Sequence, residues 1–151
     1  MKVLFTAFNG KSNSSKLLLD KINSDNKLYL RNSFSTSVNQ LKKELNSKNY
    51  DLIISFGQAP LDKDTIKIET IGQDKIKYKT KYDFTSLEET FCINNYKTII
   101  SNNAGAYLCN NIYFNGLKYI DDNKLNTKMI FIHIPAIDNI SNIDNLANIF
   151  N

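Results

Sequence analysis

The chain has 151 residues, 42% hydrophobic and 23% charged, with a formal net charge of +4; that is enough for one domain with a real core. No apolar run approaches the ~20 residues that span a bilayer, and the short opening "MKVLFTAF" suits a strand better than a secretory signal. The lysines are scattered and Arg31 is the only arginine, which argues against a nucleic-acid surface and leaves a cytoplasmic protein with no nucleic-acid or membrane partner as the expectation.

In chain order, "KVLFTAF" (2–8) has the β-branched and aromatic content of a strand, and residues 14–22 follow with a Leu/Ile face. "KLYLRNSF" (27–34) is a second strand. "STSVNQLKKELNSK" (35–48) places Val38, Leu41 and Leu45 at helical spacing. "DLIISFG" (51–57) and "TIKIETIG" (65–72) are predicted strands, and 73–83, "QDKIKYKTKYD", a loop or exposed edge hairpin. "KTIIS" (97–101) is a strand, 106–120 a helix lined by Leu108, Ile112, Leu117 and Ile120, "KMIFIHI" (128–134) a strand, and 139–150 a last helix. Strand–helix alternation of this kind predicts a single-domain three-layer α/β/α fold over residues 1–151 with a twisted, mostly parallel sheet. The nearly continuous apolar runs at 51–57 and 128–134 suit strands covered on both faces.

In such sheets functional groups gather beyond the carboxyl ends of strands, which selects "GQAPLDKD", "NNAGAYLC" and His133-Ile134-Pro135. Cys109 falls near the start of the 106–120 helix. Free backbone N–H groups there favour an anion, so the thiol is expected to be acidified and reactive, and the same groups suit an oxyanion. A buried structural cysteine fits the position equally well. His133 is the only histidine, so any Cys–His nucleophile within one chain must use it; taken alone, a satisfied core or surface histidine also accounts for it. Glu69 is a carboxylate inside an otherwise apolar strand, which calls for solvent or a partner; it orients the imidazole or simply faces outward. Cys92, in "LEETFCINNY", reads as structural on the apolar face of a helix. One histidine and two separated cysteines make no standard zinc site, and the five glycines form no nucleotide-binding pattern.

These residues together resemble the pyroglutamyl peptidase I (pyrrolidone-carboxylate peptidase) family of cysteine exopeptidases. "MKVLFTAF" is similar to that family's opening strand, "NSS" (13–15) to its Asn-Pro-Ser, and "DLIISFGQA" to its strand ending in Gly-Gln-Ala. "IKIE", "SNNAGAYLCNNIYFNGL" and "FIHIP" resemble the stretches holding its catalytic Glu, Cys and His. The resemblance implies removal of N-terminal pyroglutamate from peptides by Cys109, His133 and Glu69. It makes Phe8 a candidate contact for the pyroglutamyl ring, and Asn13 and Gln58 candidate polar contacts. It implies no metal or cofactor and leaves a homo-oligomer open. Two family features are missing: the Pro-Phe pair after the first strand, and an Arg-containing loop after the Glu, for which Lys75, Lys77, Lys79 or Lys81 is the candidate replacement. Those losses keep three rivals in view: a cysteine amidase for another small acyl group, a degenerate peptide-binding homologue, and a structural protein.

Overall fold

The computed structural model describes all residues, Met1–Asn151. Eight strands and five helices follow one another as β1 (Val3–Phe8), α1 (Ser14–Lys21), β2 (Lys27–Leu30), α2 (Phe34–Ser47), β3 (Leu52–Gln58), β4 (Thr65–Glu69), β5 (Ile71–Gln73), β6 (Lys77–Lys79), α3 (Thr85–Ile93), β7 (Lys97–Ser101), α4 (Leu108–Asp122), β8 (Lys128–Ile134) and α5 (Ile143–Asn148). A short 3-10 turn, Ile137–Asn139, precedes α5. Six strands make the central sheet in the order β2-β1-β3-β8-β4-β7. Of these, β1, β2, β3 and β8 run parallel, whereas β4 is antiparallel to β8 and β7 follows β4.

The period-2 alternation of the strands divides the core into two layers. Phe5, Ala7, Ile54, Phe56, Ile68, Ile130 and Ile132 face α1, α3 and α5, in a cluster with Leu18, Phe91 and Leu146. Leu4, Phe8, Ile53, Met129 and Phe131 face α2 and α4, in a cluster with Leu41, Ile112, Tyr113 and Leu117. Helix starts are fixed by side-chain oxygens that take up free N–H groups: Asn13 accepts from Ser15 N, Ser33 from Thr36 N and Asn142 from Asn145 N.

Several elements differ in extent from the sequence expectation. The strand expected over 27–34 stops at Leu30, because Ser33 caps α2 and Phe34 opens it. The strand expected over 65–72 is two: Thr70 turns out of the sheet, its N–H and hydroxyl both donating to Ser101 O. Ile71–Gln73 then pairs with Lys77–Lys79 as a separate antiparallel hairpin, at the site of the expected hairpin but laid on α4 rather than on a sheet edge. The last helix is six residues long, 143–148, rather than 139–150. Cys92 was expected on an apolar face and is exposed instead, because α3 buries only Phe91.

The hairpin reaches α4 backbone to backbone. A Cβ on Gly72 would lie 2.7 Å from both Cα and N of Phe114, atoms that cannot rotate away. Gly72→Ala should therefore lower the unfolding free energy by about 1–3 kcal/mol, as overpacking does, read as a lower urea midpoint; an unchanged midpoint would mean that the hairpin rides free of α4.

Candidate active site

Residue 109 is the second residue of α4, after Tyr107 as N-cap and Leu108. Tyr107 has an extended backbone (φ −114°, ψ −157°) and offers no side-chain cap, so the first N–H groups of α4 have no capping oxygen. Cys109 and Tyr113 are one turn apart on the helix face that meets the sheet. The Tyr113 hydroxyl donates to the Glu69 backbone carbonyl at 2.8 Å. One helix thus carries the sulfur and anchors the strand that carries the carboxylate.

His133 sits near the end of β8, 6% exposed. Its register partner on β3 is Gly57 and on β4 is Lys67. Glu69 lies opposite Phe131, two residues along, a diagonal that a glutamate can span. It does so: His133 Nδ1 and Glu69 Oε1 are 2.9 Å apart. A carboxylate can only accept, so Nδ1 holds a proton, and in the neutral imidazole Nε2 is then the acceptor. Phe131 supports the imidazole from below, with ring centroids 5.0 Å apart.

Gly57 is what lets the sulfur sit against β3, next to the strand position of this imidazole. A Cβ at Gly57 would lie 2.6 Å from Cys109 Sγ and 2.9 Å from Phe131 Cζ. The thiol therefore occupies the space a β3 side chain would fill, beside the strand position of His133. An isolated glycine in an apolar strand is the sequence signal for such a close approach.

Cys109, His133 and Glu69 line one cleft of about 400 Å³ together with Gln58, Ala59, Pro60, Lys67 and residues 103–107. Burial pushes the Cys109 thiol up to about 12, with the Glu69 charge adding to it. This runs against the expected acidification: desolvation of a sulfur packed against Gly57, with a carboxylate nearby, disfavours the thiolate.

Of the expected substrate contacts, Gln58 lines the cleft, and its Oε1 also accepts from Ser14 N at 2.9 Å. Phe8 and Asn13 do not line it. Phe8 is 4% exposed within the apolar cluster against which Cys109 packs. Asn13 is the cap of α1, its Oδ1 accepting from Ser15 N and Oγ. None of Lys75, Lys77, Lys79 or Lys81 reaches the cleft; Lys79 and Lys81 line a different cavity with Tyr78, Lys124 and Lys128. Sequence reasoning missed Lys67, whose Nζ is 3.9 Å from Glu69 Oε1. Its i, i+2 relation to Glu69 was the available signal, since that spacing puts both on one face of a strand. It also missed Tyr107, 80% exposed at the rim of the cleft. No helix is long and apolar enough to cross a membrane.

Three kinds of comparison with known proteins agree. Residues 85–148 match the model of a family described as pyroglutamyl peptidase. Pyrrolidone-carboxylate peptidase 1 of Caldanaerobacter subterraneus subsp. tengcongensis is 30% identical over 91% of this chain and 83% of its own length. The crystal structure of Bacillus amyloliquefaciens pyroglutamyl peptidase I superposes with a TM-score of 0.87, covering 99% of this chain and 93% of that one, at 19% identity. At that identity the last match speaks for the fold.

Gly57→Ala should displace the thiol from the imidazole. Alkylation of Cys109 by iodoacetamide at neutral pH, followed in a Cys92→Ser background, should slow at least about tenfold; an unchanged rate would mean that the sulfur needs no space over β3.

Proposed function

The chain belongs to the pyroglutamyl peptidase (pyrrolidone-carboxylate peptidase) family, and from that premise we propose that it is a cysteine exopeptidase that removes N-terminal pyroglutamate from peptides. The observation that carries the proposal is the placement of the Cys109 sulfur over Gly57, whose register neighbour His133 hydrogen-bonds Glu69 at 2.9 Å. Nucleophile, base and orienting acid come from three elements and face one cleft.

The mechanism follows from the protonation states. With its thiol pushed up to about 12, Cys109 is stored protonated and gains nucleophilicity only as its proton leaves. His133 Nε2 takes that proton as Sγ attacks the exocyclic carbonyl of the pyroglutamyl residue. Glu69 holds Nδ1–H and stabilises the imidazolium that forms. The first N–H groups of α4 are the candidate donors to the oxyanion. Collapse of the tetrahedral intermediate breaks the C–N bond; the imidazolium protonates the departing amine and a thioester remains on Cys109. Water, deprotonated by His133, then releases pyroglutamate and restores the thiol. Gln58 and Tyr107 at the rim are the candidate contacts for the acyl group.

Cleavage of a pyroglutamyl fluorogenic amide tests this reading. Cys109→Ala should abolish turnover, and His133→Ala and Glu69→Gln should lower kcat/KM by about 10²–10⁴-fold. Full activity in Cys109→Ala sinks the proposal. Turnover of another N-acyl amide but not the pyroglutamyl one would overturn the acyl assignment alone.

The pH dependence has a defined sign. Without the imidazole, alkylation of Cys109 depends on spontaneous ionisation of a thiol raised by burial. In His133→Ala the alkylation rate should thus stay low at neutral pH and climb only toward about pH 12, while the wild type already reacts at neutral pH. Identical profiles for the two proteins would remove His133 from the chemistry.

A further inference from the structure

Glu69 is 0% exposed, and its two oxygens are served unequally. Oε1 takes the His133 Nδ1 hydrogen bond. Oε2, equally buried, has no hydrogen-bond partner in the protein. A carboxylate held out of water with half its acceptor capacity unused needs a nearby positive charge to stay ionised.

The titratable groups lining the cleft are Lys67 and Glu69 on β4, Tyr107 and Cys109 at the start of α4, and His133 on β8; β3 contributes only the Gln58 amide, and β7 none. With Cys109 as a thiol and the imidazole neutral, the one cation among them is Lys67. Its Nζ lies 3.9 Å from Glu69 Oε1, too long for a hydrogen bond but close enough for a strong field in a partly dry site. Lys67 is also the direct register partner of His133. Its side chain is 31% exposed, so the ammonium keeps contact with solvent while its charge faces the buried pair.

We propose that Lys67 is a positioning residue, whose ammonium is the counter-charge that keeps Glu69 ionised while His133 is neutral and that eases loss of the first proton from the Cys109–His133 pair. The sign follows from electrostatics: a fixed positive charge favours every deprotonation near it. Glu69 thereby serves the imidazole in both halves of a catalytic cycle. When the imidazole is charged it is the second cation on the carboxylate, and when it is neutral Lys67 stands alone. The inference rests on the proposed roles of Cys109, His133 and Glu69 but not on the identity of the acyl group.

The test is iodoacetamide alkylation of Cys109 across pH in a Cys92→Ser background, with Lys67→Met, Lys67→Gln and Lys67→Arg. Methionine retains the aliphatic stem without the charge, glutamine retains polarity without the charge, and arginine retains the charge. The acid limb of the profile should move up by about half to one pH unit in Lys67→Met and Lys67→Gln, a loss of about three- to tenfold in rate at a fixed pH on that limb. Lys67→Arg should stay near the wild type. A limb that is unmoved in either folded neutral variant, or that moves equally in Lys67→Arg, overturns the proposal. The acid limb of kcat/KM on the pyroglutamyl amide should shift in parallel. If the wild type alkylates with the expected limb and the limb shifts, yet no pyroglutamyl amide is cleaved, the acyl assignment fails and the role of Lys67 stands.

Discussion

A carboxylate with no access to water sets the terms for this molecule. Taking Glu69 out of solvent costs several kcal/mol, and the protein offsets that with one hydrogen bond to an imidazole and one ammonium. Both must arrive on the same face of the sheet. The antiparallel pairing of β4 with β8 delivers them, since it sets Lys67 opposite His133 and Glu69 on the diagonal. The alternation of a strand then sends both β4 side chains toward the layer that holds α4. A slip of one residue in this register would turn the charged pair into the opposite apolar layer, beside Ile130 and Ile132.

Space is the second constraint. Helix α4 lies close enough to the sheet for a two-bond side chain to fill the space over Gly57. Missing side chains provide the room. Gly57 gives Cys109 its seat, Gly72 lets the β5–β6 hairpin lie on the α4 backbone, and Gly116 accommodates Met129, whose Sδ would be 2.5 Å from a Cβ there. The Tyr113 hydroxyl on Glu69 O then ties the helix to β4. The closeness that positions the sulfur is the same closeness that desolvates it, so the placement and the thiol's resistance to ionisation have one cause.

The second missing family feature, the Arg-containing loop, has a structural counterpart. The residues after Glu69 form a short hairpin on α4, with Lys79 and Lys81 lining a different cavity. The cation of this cleft comes from two residues before Glu69 instead of from the loop after it. Phe8 is likewise part of the core beneath the sulfur and not of the cleft wall, which leaves the rim to Gln58, Pro60 and Tyr107.

The layered α/β class, the positions of most elements, and Cys109, His133 and Glu69 as the chemically notable residues were legible in the chain itself. Apolar periodicity and a lone histidine are local properties, and local properties survive without coordinates. What the linear pattern could not carry was strand direction and depth. The running order of strands reads the same whether β4 and β7 run with β8 or against it, so the diagonal that joins Glu69 to His133 could not be inferred from it, although the i, i+2 spacing already set Lys67 on the face of Glu69. Start-of-helix position argued for an acidic thiol, and tertiary packing adds the opposing effect of burial, because desolvation depends on every neighbour in three dimensions. Composition and spacing thus narrowed the candidates and the resemblance chose among them; the reversed strand and the tight contact of helix with sheet decided which of them lie together in one cleft.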